Sequence, residues 1–168
     1  MQQADAYFMN FAQVARTRAN CLRRNVGAVL VKDNHLIATG YNGTSRGVLN
    51  CTEGGCTRCF RTDEYQPGEA YDLCVCVHGE ENTLLQAARF GSATEGTIMY
   101  TTLQPCLSCL KSAINAGVSG IIYADKFVIP IQQRDDYNRM TRVLSVFKEY
   151  VAPEVEETGV RHKITTQN

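Results

Sequence analysis

Apolar residues recur at helical spacing in DAYFMNFAQVARTRA, Asp5 to Ala19, and predict an opening helix. The pattern then changes. VGAVLVKD, residues 26–33, is nearly continuous apolar chain and predicts a strand. Asp33-Asn34 signals a turn, and HLIATGYNG, residues 35–43, predicts a second strand that completes a β-hairpin. From Ser45 to Asp72 the chain is polar and glycine-rich with no period, and a loop of that length needs something to tie it down. A helix is expected from His78-Gly79-Glu80-Glu81 through LLQAARF, with Gly91 as its stop. TIMYTTL, residues 97–103, reads as a strand, and PCLSCLKSAINAG as a helix opened by Pro105 and stopped at Gly117. SGIIYAD, residues 119–125, is a strand; RDDYNRMTRVLSVFKEYV, residues 134–151, an amphipathic helix; VRHKIT, residues 160–165, a last strand. The order α-β-β-α-β-α-β-α-β predicts an α/β fold, largely parallel, with an antiparallel hairpin at its front.

At 168 residues the chain is expected to form one domain, 1–168, with a cysteine-rich insertion at about 45–76. A chain of this size buries roughly 70% of its unfolded surface and needs no staples. Lysine and arginine balance aspartate and glutamate, giving a formal net charge of zero. With no basic run interleaved with aromatics, this argues against a nucleic-acid partner. No apolar run approaches a membrane span. MQQADAYFMNFAQ lacks the regions of a signal peptide, so a cytoplasmic location is expected. Seven of the eight cysteines then change the picture, because they fall from Cys51 to Cys109 at close spacings. In a reducing compartment such spacings point to metal rather than disulfides.

The sharpest constellation joins His78 and Glu80 to Pro105-Cys106-Leu107-Ser108-Cys109. Residues three apart share a helix face, so Cys106 and Cys109 point the same way from the start of their helix. His78 lies at the start of the preceding helix, and helix N-termini favour thiolate. Two thiolates and an imidazole leave a zinc with one open position, the catalytic arrangement. Glu80 is then not a ligand but the group that moves protons. The pattern His-x-Glu…Pro-Cys-x-x-Cys is the signature of zinc nucleobase deaminases. The competing reading is a structural zinc with Glu80 as a helix cap, but a structural site normally supplies a fourth ligand.

The chain resembles the deoxycytidylate (dCMP) deaminases of the cytidine deaminase superfamily from about Tyr7 to Ala124. The resemblance is carried by CLRRNVGAVLVKDNHLIATGYNGT, CTEGGCTRC, DLCVCVHGEENTLLQAARFG and TIMYTTLQPCLSCLKSAINAGVSGIIYAD. It implies a three-layer α-β-α fold with a mixed five-stranded sheet. It also implies hydrolysis of dCMP to dUMP and ammonia. His78, Cys106 and Cys109 would hold the catalytic zinc, Glu80 would shuttle protons, and Asn42 would meet the deoxyribose hydroxyl. Relatives are commonly homohexamers, activated by dCTP with Mg²⁺ and inhibited by dTTP. That regulation is associated with the Gly40-Tyr41-Asn42-Gly43 segment, with Arg24 a candidate for the effector phosphates. A structural zinc is implied in the insertion, at Cys21, Cys51, Cys76 and a loop cysteine, with Cys59 and Cys56 the likelier donors. Six thiols, Cys74 included, exceed one tetrahedral site, so a second zinc sharing a cysteine also fits the count.

One position departs from the family. The usual His-Ala-Glu is His78-Gly79-Glu80 here. Glycine keeps the backbone N–H that would contact the pyrimidine carbonyl, at a helix-propensity cost of up to ~1 kcal/mol. On sequence grounds Gly79→Ala should leave activity within a few-fold. For the substrate phosphate the candidates are Arg23, Arg24, Arg46, Arg89 and Lys111, with Arg89 matching a family arginine of nucleotide binding or subunit contacts. Lys32 is a further candidate for an effector triphosphate. Tyr123 and Phe127 are candidates for stacking on the base, and core packing is expected of at least one of them. His35 and His162 read as surface residues. The alternatives are a deaminase that also accepts dCTP and a zinc-stabilised nucleotide-binding module without activity.

Overall fold

The computed structural model describes residues 2–61, 63–65, 70 and 73–152. Helix α1 (Gln2–Arg16) leads into the hairpin β1 (Gly27–Lys32) and β2 (His35–Tyr41), followed by a two-residue β3 (Gly43–Thr44). The insertion contains a 3-10 turn (Cys51–Glu53) and the single-turn α2 (Thr57–Phe60). The order continues with β4 (Cys76–Val77), α3 (Gly79–Arg89), β5 (Ile98–Leu103), α4 (Leu107–Asn115) and β6 (Gly120–Asp125). A further 3-10 turn (Ile131–Gln133) precedes α5 (Arg134–Thr141) and β7 (Val146–Glu149).

The sheet has five strands in the order β2-β1-β5-β6-β7. β1 runs antiparallel to both β2 and β5, whereas β5, β6 and β7 are mutually parallel. β3 and β4 form a separate antiparallel ribbon that pairs Gly43 with Val77. Period-two alternation explains the layers, because each central strand is apolar on both faces. Leu30, Met99 and Ile121 point to one face and pack with Leu84, Leu110 and Tyr137 from α3, α4 and α5. Val29, Tyr100 and Ile122 point to the other and pack on Phe8, Met9 and Ala12 of α1.

The C-terminal expectation needs correction. Only Arg134–Thr141 of the predicted helix 134–151 is helical, and its second half supplies the fifth strand. VRHKIT lies outside the described residues. A short amphipathic run fits either period, and the choice falls to the sheet edge. β6 offers a row of backbone groups that β7 satisfies, flanked by Ser145 N–H donating to Ser119 O at 2.7 Å and Tyr150 N–H to Tyr123 O at 2.7 Å. Phe147 then packs on Tyr123, with ring centroids 5.2 Å apart.

Helix α3 lies close against the hairpin because Gly40 has no side chain. A Cβ there would stand 2.3 Å from Thr83 Oγ1 and 2.5 Å from the Gly79 carbonyl. The Thr83 hydroxyl is fixed by hydrogen bonds to Gly79 O at 2.7 Å and Ala28 O at 3.2 Å, so it cannot swing away freely. Gly40→Ala should therefore destabilise the fold by about 1–3 kcal/mol, the usual range for overpacking. Denaturant unfolding checks this, expecting a lower midpoint at unchanged slope.

Candidate active site and thiol clusters

β5 and β6 are parallel, and the crevice beyond the carboxyl ends of such strands is where open α/β sheets bind ligands. A cavity of about 630 Å³ opens there, between Gln104 and Cys106 after β5, Phe127 after β6 and Val26 before β1. His78, Gly79 and Glu80 form part of its wall.

His78 and Cys106 occupy equivalent places, each the N-cap of a helix in extended conformation. Their carbonyls accept the first helical hydrogen bonds, from Asn82 N–H and Leu110 N–H, both at 2.9 Å. Helix α4 therefore starts at Leu107, past the expected Pro105. The Pro105 carbonyl accepts the Tyr137 hydroxyl at 2.7 Å, which fixes the turn ahead of Cys106. His78 Nδ1 lies 3.3 Å from Cys109 Sγ and 3.5 Å from Cys106 Sγ. Ligands about 2.1 and 2.3 Å from a tetrahedral zinc stand about 3.6 Å apart, so the donor set fits that ion.

The three groups set one another's acidity, and a bound metal would displace the protons of His78 and Cys109. Hydrogen bonds accepted from Cys109 and then from His78 hold the Cys106 thiol down at about 4. Cys106 in turn pushes His78 up to about 9, while the same sulfur contact raises Cys109 well above its usual range. The site thus has a thiolate in place for a soft cation. Glu80 is only 4% exposed, and burial pushes its carboxyl up to about 7. A carboxyl balanced near neutrality suits proton transfer in either direction.

Gly79 has a structural reason that the sequence did not reveal. A Cβ there would stand 2.9 Å from the Val26 carbonyl, a backbone atom with little room to yield. Val26 is locked to Asn42: its N–H donates to Asn42 Oδ1 at 2.7 Å, and its carbonyl accepts Asn42 N–H at 3.1 Å. Asn42 also donates its amide to Arg24 O at 2.6 Å, so this buried side chain braces the cavity wall that it lines.

Of the cationic candidates, Arg23 and Arg24 line the cavity, joined by Arg58 and Lys126, which sequence reasoning missed. Arg58 is only 4% exposed, and its place between cysteines in Cys56-Thr57-Arg58-Cys59 was a usable signal. Arg89 is not in the lining. It ends α3, nine residues beyond Glu80 and so about 13 Å along the axis, with its guanidinium over the Phe90 ring at 5.6 Å. Arg46, Lys32 and Lys111 are also absent from the lining; Lys32 donates to Glu95 O at 2.7 Å. Phe127 lines the cavity, whereas Tyr123 is buried against Phe147. His35 is exposed, and His162 lies outside the described residues.

The remaining six cysteines converge. Cys21, Cys51, Cys59 and Cys76 place their sulfurs within 4.8 Å of one another, and so do Cys56, Cys59, Cys74 and Cys76. Cys21, Cys74 and Cys76 also line the cavity.

Comparison with known proteins agrees with this geometry. Residues 2–125 match the family described as the cytidine and deoxycytidylate deaminase zinc-binding region. Deoxycytidylate deaminase of Schizosaccharomyces pombe is 45% identical over 119 residues, covering 71% of this chain and 36% of the relative. That of Saccharomyces cerevisiae is 41% identical, covering 73% and 38%. The chain thus spans little more than a third of the length of these two relatives. The deoxycytidylate deaminase of Mycobacterium phage D29 is 35% identical and is covered to 92% of its length. Among solved structures, the dCMP deaminase of cyanophage S-TIM5 in complex with dCMP and dUMP superposes with a TM-score of 0.64 at 27% identity, covering 85% of this chain and 94% of that one. A matching stretch that runs from α1 through β6 takes in His78, Glu80, Cys106 and Cys109 together, and the chain belongs to the cytidine and deoxycytidylate deaminase zinc-binding family.

Proposed function

We propose that this chain catalyses the hydrolytic deamination of dCMP to dUMP and ammonia. The observation that carries the reading is the buried Glu80 carboxyl beside His78, Cys106 and Cys109, facing a cavity lined by arginines. When bound, zinc supplies Lewis acidity at an open coordination position. Glu80 would take one proton from the attacking water to the ring nitrogen, then take the second from the hydroxyl formed at C4 and give it to the departing amine. A C–O bond forms at C4, the C–N bond breaks, and no electron transfer is needed. The Gly79 N–H faces the pyrimidine carbonyl and Phe127 offers a ring for the base. The spare hydrogen-bonding capacity of Asn42 serves the deoxyribose hydroxyl.

Arg23, Arg24, Arg58 and Lys126 supply positive charge for a 5′-phosphate, which a bare nucleoside would not require. The reading extends to activation by dCTP with Mg²⁺ and inhibition by dTTP through Gly40–Gly43 and Arg24. Tyr41 supports it, with the Arg18 guanidinium 5.7 Å from its ring centroid. The reading also extends to a homohexamer with Arg89 at a subunit contact; a groove of about 550 Å³ between α4 and α5, lined by Leu107, Ile114, Met140 and Val143, offers an apolar surface for association. Free thiols at all eight cysteines suit the reducing cytoplasm.

An ultraviolet assay on zinc-replete protein tests the reading with dCMP, CMP, dCTP and deoxycytidine, each with and without dCTP–Mg²⁺ or dTTP. Loss of dCMP absorbance that rises with dCTP and falls with dTTP is expected. Comparable turnover of dCTP would assign the bifunctional alternative, and no turnover would assign a binding module. Glu80→Gln should lower kcat at least a hundredfold with full zinc content, since Glu80 is not a ligand; zinc lost in step with activity would refute its role. Gly79→Ala should lower stability by about 1–3 kcal/mol through the Val26 carbonyl and raise KM for dCMP, against the sequence expectation of a near-neutral change. An unchanged melting temperature and KM would show that Val26 yields freely.

A further inference from the structure

The two overlapping sets of four thiols have a geometry that one metal ion does not explain. Zinc–sulfur bonds of about 2.3 Å at tetrahedral angles put neighbouring sulfurs about 3.8 Å apart. Cys21 and Cys59, from the first set, stand 3.8 Å apart. In the second set Cys56 and Cys74 stand 3.8 Å apart, and Cys59 and Cys74 3.6 Å. A disulfide needs sulfurs about 2.05 Å apart, and none of these pairs approaches it. Both sets therefore have the spacing of a tetrahedral metal–thiolate site.

Two residues belong to both sets, Cys59 and Cys76. Cys59 touches Cys21 of the first set and Cys74 of the second. The Cys76 sulfur lies within 4.8 Å of the same two. Two tetrahedra sharing one edge require this: four terminal thiolates, here Cys21, Cys51, Cys56 and Cys74, and two bridges. We propose that the six thiols hold two zinc ions in a binuclear cluster bridged by the sulfurs of Cys59 and Cys76.

The surroundings suit such a cluster. Two divalent ions and six thiolates sum to a charge of −2, and anionic sulfur in a buried site needs donors. The Arg58 guanidinium lies 4.0 Å from Cys59 Sγ, and Leu22 N–H donates to Cys51 Sγ at 3.4 Å. Among the described residues, the buried cluster of the insertion consists of cysteines alone. With one zinc, two thiols, one buried and one half-buried, would remain without a metal. The cluster also ties Cys21, ahead of β1, to Cys76, two residues before His78, so it braces the catalytic cavity.

Metal counting on the intact zinc-replete protein tests the proposal. Three zinc ions per chain are expected, and two in Cys106→Ala, which spares the cluster. Replacement by ¹¹³Cd should give two tetrathiolate resonances that couple through the bridging sulfurs. Amide exchange across residues 45–61 should speed at least tenfold on chelation. Two zinc ions per chain, cadmium resonances without coupling, exchange unaffected by chelation, or a denatured mass lighter by two hydrogens from a disulfide would each overturn it. The wild-type count decides the matter even if cysteine variants fail to fold, and it stands apart from whether dCMP is the substrate.

Discussion

The site depends on two helix N-termini held side by side at one end of the sheet. Orphan N–H groups and aligned peptide dipoles make each helix start electropositive, which stabilises thiolate there. His78 and Cys106 cap α3 and α4 with their carbonyls, and neither caps with its side chain. The imidazole and the sulfur are therefore free to face each other and Cys109. A serine or aspartate cap would spend its side chain on the helix. Here the helix start is held from outside, by strand β4 before α3 and by the Tyr137–Pro105 hydrogen bond before α4.

The position of α3 relative to the sheet is set by backbone approaching backbone. Gly40 admits Thr83 and the Gly79 carbonyl, and Gly79 admits the Val26 carbonyl. Val26 is hydrogen-bonded to Asn42, which reaches on to Arg24. A contiguous set of contacts thus joins the middle residue of the His-x-Glu motif to the asparagine of the Gly-Tyr-Asn-Gly segment. A shift at either end is transmitted to the other because close-packed backbone has no soft atoms to absorb it. This explains why the departure from alanine at position 79 does not stand alone: the wall behind it sits close enough to need glycine.

The insertion follows a different logic from the core. The sheet is covered on both faces by aliphatic and aromatic side chains. The segment between β3 and β4 instead collects sulfur from Cys51, Cys56, Cys59 and Cys74, with Cys21 and Cys76 at its borders. Arg23 reinforces it, donating to the carbonyls of Tyr65, Arg58 and Arg61. Buried thiols contribute modest apolar burial, so polar ties and, in the proposed cluster, metal–sulfur bonds carry what a hydrophobic core supplies elsewhere.

Much of this was legible in the chain itself. Strongly periodic segments such as Ile98–Leu103 and Gly79–Arg89 announced their elements, because burial on one or two faces leaves a local pattern. The convergence of His78, Cys106 and Cys109 was legible because metal chemistry fixes both residue type and spacing at a helix start. The assignment of Val146–Glu149 to a strand was not, since four residues of mixed polarity fit either period until β6 presents an edge to pair with. Nor was the sorting of cations, in which Arg23, Arg24 and Arg58 reach the cavity and Arg89 does not, because charge has no period and its place is set by chain segments distant in sequence. The sequence determined which groups the protein has for chemistry. Only the tertiary structure decided which of them meet, because the sulfurs of Cys21, Cys51, Cys59 and Cys76 come within 4.8 Å of one another through packing that no local pattern encodes.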